Sequence, residues 1–517
     1  MNSSRTTKAL TNSSVALLFY FLNIVLQFIS RKVFISHLGT DLLGLNTTIV
    51  SIMNFLNIAE MGISSAIAYS LYKPLANQDT TTVCDIVSLQ GFMYRKVAWL
   101  IGGVSILLLF LFPLYFKDIP FSILYAYATF LVLLFSAIIS YLYNYKQVVL
   151  DANQESYKIL YSFKGTQLLK ILVQIVFIVK FDNGYIWWLI IEFLFSIVSA
   201  ISLGLTVKKN APWLKTSIEV GKEAQYRYPI IKTKIKQIFF HKISKVILRE
   251  LSPIIIYSVA TLTVVAIYGN YMLIVSGLTG LVFALFNGIA ASVGNLVATS
   301  EKENIINVFR EFFSSRFLLL SSCAFAIFCF SEDFMKIWLN DESLIFENHT
   351  VILLSFIFFL SSTRLLIDTF LESYGLFQDI WAAIVEALLN ISLSYFLGRL
   401  MGIDGVLIGV LISLILISFL WKPYFLFSRG IQGFLYQYIK MYILHIVIFA
   451  ICVILYLFTS NYLNGLLGDG YINLIVRIVS FLFLIMGMQW GALYIWEPGM
   501  KHFSVRIYSF AKKKMSL

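Results

Sequence analysis

Charged residues are scarce in this sequence. They make up 13% of the 517 residues, whereas 59% of the residues are hydrophobic. Soluble proteins carry about 25% charged residues. This composition excludes an ordinary soluble protein and predicts a protein that crosses the membrane many times.

Cysteine, histidine and acidic residues are also few. The four cysteines and five histidines lack the spacing of metal ligands, so we predict no metal site and interpret the cysteines as small buried hydrophobic residues. The 27 acidic residues against 39 basic ones leave a net charge of +12. In a soluble chain this excess would indicate nucleic acid, but basic cytoplasmic loops explain it in a membrane protein, so we expect no nucleic-acid partner.

Long apolar runs are abundant. About fourteen of them reach the length of about 20 residues that a helix needs to cross a bilayer. The predicted spans are 14–36, 44–72, 92–116, 121–147, 159–180, 185–207, 238–261, 265–298, 307–331, 350–374, 378–400, 404–428, 440–460 and 472–496. The predicted fold is an all-α integral membrane fold. We expect the first span to remain in the membrane, because no small-residue cleavage site follows it.

Lysine and arginine lie mainly in alternate connections between these spans. The largest basic connection, 208–237, is long, whereas opposing connections such as HLGTDLLG are short and poor in cations. The positive-inside rule therefore places both termini in the cytoplasm. The predicted parts are an N-terminal six-span lobe (1–207), a cytoplasmic linker with an amphipathic helix (208–237), a C-terminal six-span lobe (238–428), and two further spans with a basic cytoplasmic tail (429–517).

Polar residues lie inside the first two predicted spans. Asn23, Gln27 and Arg31 are spaced at i, i+4 and i+8, which places them on one face of a helix. Asn57 and Glu60 lie well inside the second predicted span. Because insertion scales charge about 2.5–3.5 kcal/mol for an ionised residue at the bilayer centre, we expect these side chains to face protein or water.

Two later spans also carry charges. Lys245 and Arg249 belong to a basic stripe on the seventh span, and Arg364 and Asp368 lie one turn apart on the tenth. The second pair has two interpretations: an internal salt bridge, or a cavity cation beside a carboxylate that carries a coupling proton or Na⁺. If the two lobes face each other, these three cations and Arg31 converge on a basic cavity. Such a cavity suits a phosphate or pyrophosphate.

Three stretches of the chain resemble a known transport superfamily. They are VFISHLGTDLLGLNTTIVSIMNFLNIAEMGISSAIAYSLYKPLANQD, AIYGNYMLI at 266–274, and NISLSYFLGRLMGIDGVLIGVLIS at 390–413. They are similar to the polysaccharide flippases of the multidrug/oligosaccharidyl-lipid/polysaccharide (MOP) exporter superfamily. This resemblance implies two six-helix lobes in a MATE-like V shape, two additional C-terminal helices beside a lipid groove, and alternating access.

The same resemblance implies a cargo. It is an undecaprenyl-pyrophosphate-linked oligosaccharide, the repeat unit of a capsule, an O-antigen of lipopolysaccharide or an exopolysaccharide, moved to the periplasmic leaflet of a bacterial inner membrane. Relatives carry cavity cations on the first and seventh helices, matched here by Arg31, Lys245 and Arg249. The resemblance implies no cofactor other than a coupling Na⁺ or H⁺; its implied partners are membrane lipids and a polysaccharide polymerase or chain-length regulator. Glu60 stands where the lipid II flippase pattern has a basic residue, which disfavours the peptidoglycan precursor as cargo.

Two other functions stay open at this point. One is a cation-coupled drug exporter of the same superfamily. The other is a membrane-embedded polysaccharide polymerase or glycosyltransferase, which needs catalytic groups at the outer face. The acidic residues of the outer loop 331–349 have no recognisable catalytic spacing, and we interpret them as helix caps.

Overall fold

The computed structural model describes residues 5–286, 289–376, 378–466 and 470–515. Within these ranges the description excludes the side chains at 5–10, 237, 240–245, 248–249, 284–285, 289–292, 459–466, 471, 510–511 and 513–515. The described chain is helical and contains no β-strand.

Most of the helices are long enough to cross a bilayer. The α-helices are Arg5–Leu38, Thr40–Leu56, Ile63–Ala76, Thr80–Tyr115, Leu124–Tyr143, Val148–Ala152, Ser156–Ile159, Gly165–Lys180, Gly184–Asn210, Ile218–Arg227, Pro229–Val259, Leu262–Phe286, Ile289–Thr299, Lys302–Leu339, Asn348–Ser373, Ile380–Ser413, Lys422–Arg429, Leu435–Leu466, Tyr471–Trp496 and Pro498–Met515. Short 3₁₀ turns at Asn57–Glu60, Asn144–Gln147 and Glu342–Leu344 and π-helical segments at Leu160–Lys164 and Leu414–Trp421 complete them.

Twelve helical stretches in the described ranges are long and apolar enough to span a membrane. These twelve stretches cover thirteen of the fourteen predicted spans, because Ile380–Arg429 is one 50-residue stretch that covers two of them. Gly402 divides that stretch with a φ of +61°. The seventh predicted span lies in the helix Pro229–Val259, of which the part Glu250–Val259 is apolar among the described residues. The prediction of an all-α, multi-pass membrane fold is confirmed.

The second predicted span is not a continuous helix. It consists of Thr40–Leu56, the 3₁₀ turn Asn57–Glu60 and the helix Ile63–Ala76. Gly62 breaks it with a φ of +91°, in the left-handed region that favours glycine. A Cβ atom at Gly62 would lie only 2.7 Å from the Ile235 carbonyl oxygen. The second predicted span, 44–72, is therefore interrupted just after Glu60, because Gly62 permits both the turn and the close approach.

The chain forms two compact units, Met1–Gly269 and Asn270–Leu517. Their boundary lies inside the helix Leu262–Phe286, whereas the lobes predicted from sequence divide at the linker 208–237. The predicted lobe boundaries stay a prediction.

Each unit has its own apolar core. In the first unit, Leu45 and Ile49 of the second span are fully buried beside Phe116 and Phe130. The second unit buries a cluster of phenylalanines at 309, 317, 370, 427 and 434. Leucine, isoleucine and phenylalanine side chains are exposed along many helices, as a surface that contacts lipid requires.

The end of the chain, predicted as a basic tail, contains the helix Pro498–Met515. Arg506 lies 3.0 Å from the Glu311 carboxylate of the ninth span. A Cβ atom at Gly499 would lie 2.6 Å from the Arg310 backbone, so the two helices touch there. The segment predicted as a basic cytoplasmic tail therefore forms a helix that packs against the ninth span, and its cytoplasmic location stays a prediction.

Candidate functional site

The first span has two different exposed faces. Leu18, Leu22 and Val25 are exposed on one side of the helix. At about 100° per residue, Asn23, Gln27 and Arg31 lie on the opposite side. On this polar face Gln27 is exposed, and Asn23 and Arg31 are half-buried. An exposed amide opposite a lipid-type surface indicates contact with water.

Arg31 lies against the start of the eighth span. Its Nη2 atom donates a hydrogen bond of 3.2 Å to the Ala266 carbonyl oxygen. A Cβ atom built on Gly269 would lie 2.2 Å from the same nitrogen, so glycine at this position leaves room for the guanidinium. Both contact residues belong to the stretch AIYGNYMLI that carries the superfamily resemblance.

The break in the second span brings polar side chains together. The Tyr141 hydroxyl donates a hydrogen bond of 2.6 Å to the Asn57 side-chain oxygen. The Tyr94 ring packs edge-on against the Tyr141 ring with centroids 5.5 Å apart, and Tyr94 lies close to Glu60 and Ser64. Asn57 and Glu60, which we predicted to face protein or water, therefore lie in one polar cluster with two tyrosines that sequence reasoning missed.

The seventh span contributes a buried carboxylate to the first unit. Asn54 donates a hydrogen bond of 3.0 Å to Glu250, whose side chain is buried. Lys245 and Arg249 lie on the same helix, Pro229–Val259, but their side chains fall outside the described residues. Their assignment as cavity cations stays a prediction.

In the second unit, Arg364 belongs to a buried network of charges. Its Nη1 atom donates hydrogen bonds of 2.7 and 2.9 Å to the two Glu386 oxygens, and its Nε atom donates one of 3.3 Å to Asp368. Lys422 donates a hydrogen bond to Asp368, and the Ser418 hydroxyl donates one of 2.8 Å to Glu386. The structure contains the predicted Arg364–Asp368 contact, but the shorter contacts of Arg364 are with Glu386.

This ion network, made of Arg364, Asp368, Glu386 and Lys422, has two cations and two carboxylates and is formally neutral. The side chains are 4%, 8%, 0% and 12% exposed, in that order. Enclosed charges of this kind are tolerated because each has an opposite partner. Sequence reasoning did not place Glu386 beside Arg364 or Lys422 beside Asp368. In the sequence, each of these two residues is visible only as a single charge within an apolar stretch.

The acidic residues of the stretch 331–349, which we predicted to be an outer loop, have structural partners, and Glu332 and Asp333 lie in the helix Lys302–Leu339. Glu332 lies 2.8 Å from Lys336, and Asp333 lies 3.1 Å from Arg477. Asp341 accepts a hydrogen bond of 2.9 Å from the Ser343 amide and caps a short helix. In the described part of the chain no cluster of histidine, cysteine and acidic side chains could hold a metal ion.

Comparison with solved structures identifies the fold. The chain is similar to the lipid II flippase MurJ in an inward closed conformation, with a TM-score of 0.63 and 14% identity over 92% of this chain and 99% of that one. It is also similar to an inward-facing multidrug resistance MATE family transporter of the MOP superfamily, with a TM-score of 0.58 and 13% identity over 81% of this chain and 98% of that one. A mutant of the Vibrio cholerae MATE transporter VcmN gives a TM-score of 0.54 and 15% identity over 83% of this chain and 99% of that one.

No protein-family model and no curated protein sequence matches the chain. The structural likeness, at 13–15% identity, concerns the fold. The chain is therefore a multi-pass membrane protein with the all-α fold shared by MATE transporters and MurJ.

Proposed function

We propose that this protein is a flippase for a polyprenyl-pyrophosphate-linked oligosaccharide. It moves the repeat unit of a surface polysaccharide from the cytoplasmic to the periplasmic leaflet of a bacterial inner membrane by alternating access. Both termini lie in the cytoplasm in this proposal, and the headgroup binds in a basic central cavity. No covalent bond is made or broken.

The observation that carries the proposal is the polar face of the first span. Gln27 is exposed there beside Arg31, on the side of the helix opposite to its exposed leucines. A guanidinium and an amide supply N–H donors for phosphoryl oxygens, and a guanidinium can form two parallel hydrogen bonds with them. Asn23 extends this polar face by one helical turn. The fold shared with a protein named as a lipid II flippase supports the same function.

We further propose that transport is coupled to protons through the ion network of the second unit. A Na⁺ ion needs an excess of negative charge, whereas Arg364 and Lys422 already balance Asp368 and Glu386. Protonation of Asp368 would remove one negative charge, weaken its contacts with both cations and favour a rearranged network. The network is thus suited to a proton-dependent conformational change.

The test measures transbilayer movement of an undecaprenyl-pyrophosphate oligosaccharide in proteoliposomes. We expect Arg31→Gln to slow movement about 10- to 100-fold, because charge-assisted hydrogen bonds contribute about 1.5–3 kcal/mol. Lys32→Gln is the matched control, since Lys32 is exposed beside Arg31 on a different face. Equal rates for the parent and Arg31→Gln, or no movement by the folded parent under any ion gradient, would refute the proposal.

The same proteoliposomes test the coupling ion. A proton gradient should accelerate the parent, a Na⁺ gradient at fixed pH should not, and Asp368→Asn should abolish the response to protons. Acceleration by Na⁺ alone would show that the ion assignment is wrong while leaving the cargo assignment intact.

Drug export is the second candidate, favoured by the similarity to MATE transporters. A basic face repels a lipophilic cation, so this function predicts that Arg31→Gln improves cation export. Export of a lipophilic cation by the parent, combined with no movement of the lipid-linked oligosaccharide, would establish this alternative.

A further inference from the structure

The fourth and sixth spans leave a groove between them in the first unit. The helices Leu124–Tyr143 and Gly184–Asn210 both run from the predicted outer side to the cytoplasmic side. The rings of Phe135 and Phe193 stack between them with centroids 4.4 Å apart. This stack lies between an outer groove, lined by residues 122–132 and 186–193, and an inner groove, lined by residues 139–146 and 197–214.

The two grooves differ in charge. The outer groove holds about 620 Å³ and no charged residue lines it. The inner groove holds about 760 Å³, and Lys146 and Lys208 are its only charged lining residues. In the described part of the chain neither lysine has a carboxylate partner. The Lys146 Nζ atom lies 5.8 Å from the centroid of the Tyr145 ring. Two cations thus border an apolar groove that supplies no compensating charge.

The remaining wall of the inner groove is mainly apolar. Ile139, Ile197, Ile201 and Leu205 contribute aliphatic side chains, and Gly204 leaves open space where a side chain would stand. From Ile197 to Lys208 the helix rises about 16 Å at 1.5 Å per residue. This length matches half of a hydrocarbon core of about 30 Å. An occupant with its polar end at the lysines would therefore reach the bilayer midplane, close to the phenylalanine stack.

We infer that the inner groove binds an anionic diacyl phospholipid of the cytoplasmic leaflet, with its phosphate at Lys146 and Lys208 and an acyl chain along the isoleucine wall. Charge complementarity selects an anionic headgroup, because each lysine near a membrane surface contributes attraction for negative lipids. The one-leaflet length selects a diacyl lipid over the much longer polyprenyl chain of the proposed cargo. The site is separate from the polar face of the first span and does not depend on the proposed flippase function.

Native mass spectrometry of the purified full chain tests this inference. The probes are phosphatidylglycerol and phosphatidylcholine with identical acyl chains. We expect the parent to bind phosphatidylglycerol more tightly, and Lys146→Gln/Lys208→Gln to weaken that binding about tenfold while leaving phosphatidylcholine unchanged. Lys209→Gln is the matched control, because Lys209 is exposed next to Lys208 but does not line the groove.

A second variant tests the binding of the lipid in the groove without changing any charge. Gly204→Phe fills the groove without meeting a nearby atom at its Cβ, so it should displace the lipid while the unfolding temperature in lipid-free detergent stays that of the parent. Equal binding of the two phospholipids by the parent, or unchanged phosphatidylglycerol binding in either variant, would overturn the inference. Displacement of phosphatidylglycerol by undecaprenyl phosphate at a lower concentration than by a second phospholipid would also overturn it.

Discussion

The polar face of the first span and the ion network of the second unit hold intramembrane charge in different ways. Arg31 is half-buried beside an exposed amide and donates to a backbone carbonyl. Arg364 is 4% exposed and shares its charge with two carboxylates. Arg364 would have to lose an ion pair with Asp368 or Glu386 before it could bind an anion. The difference suggests that one arginine serves recognition and the other serves stability or coupling.

The largest expected effect is on stability, in the ion network. Arg364→Met leaves Glu386 and Asp368 buried with one cation, so the free energy of unfolding should fall by about 3–5 kcal/mol. Unfolding by SDS titration in mixed micelles measures this change. Arg364→Met/Glu386→Met should recover part of the loss, because the pair is removed together. If Arg364→Met alone were as stable as the parent, the ion network would not contribute to the stability of the second unit.

The next effect is on transport, at the polar face. Gly269→Ala places a methyl group where the Arg31 guanidinium lies, and the flexible side chain can move away. We expect the fold to survive and lipid-linked oligosaccharide movement to slow about tenfold, because the charge is kept but displaced. Gly102→Ala, where a Cβ atom would meet no other atom within 4 Å, is the control. Normal transport by Gly269→Ala would show that the transport rate does not depend on the position of the Arg31 guanidinium.

A smaller effect is expected at the broken second span. Tyr141→Phe removes the hydrogen bond to Asn57, and the unfolding free energy should fall by about 1 kcal/mol. Tyr143→Phe is the matched control, since Tyr143 is exposed two residues away. A loss of several kcal/mol would mean that the polar cluster resembles the ion network more than the open polar face.

The smallest effect concerns a charge in the connection before the third span. Hydrogen bonds from the Thr82 hydroxyl and amide to the Asp79 carboxylate lower the pKa of that carboxyl. A lowered pKa adds stability above the unfolded value of about 3.9, and this contribution disappears as the pH falls through the folded value. The melting temperature of the parent should exceed that of Asp79→Ala slightly at pH 7, and the two should converge below pH 4. Asp182→Ala, in an exposed loop, controls for general acid destabilisation.

Apolar length and charge spacing predict the all-α fold, because a bilayer admits few alternatives to helices with satisfied backbones. They also predict that Arg364 meets Asp368, since i and i+4 residues share a face. They cannot pair Arg364 with Glu386, because that contact depends on how two distant helices pack. The break at Gly62 was missed for a similar reason: an isolated glycine in an apolar run signals a turn only when a neighbouring backbone, here at Ile235, needs the space.

That break also changes the mechanics of the second span. The segment Ile63–Ala76 has 14 residues and is about 21 Å long at 1.5 Å per residue. Gly62 makes it a lever with a pivot inside the membrane: a rotation of about 10° at the pivot carries the far end through about 4 Å, over the lever length given by the helical rise. Because the helix Pro229–Val259 touches the pivot at Ile235, we expect a small sliding movement of that helix to produce a larger displacement at the end of Ile63–Ala76 that is farther from Gly62.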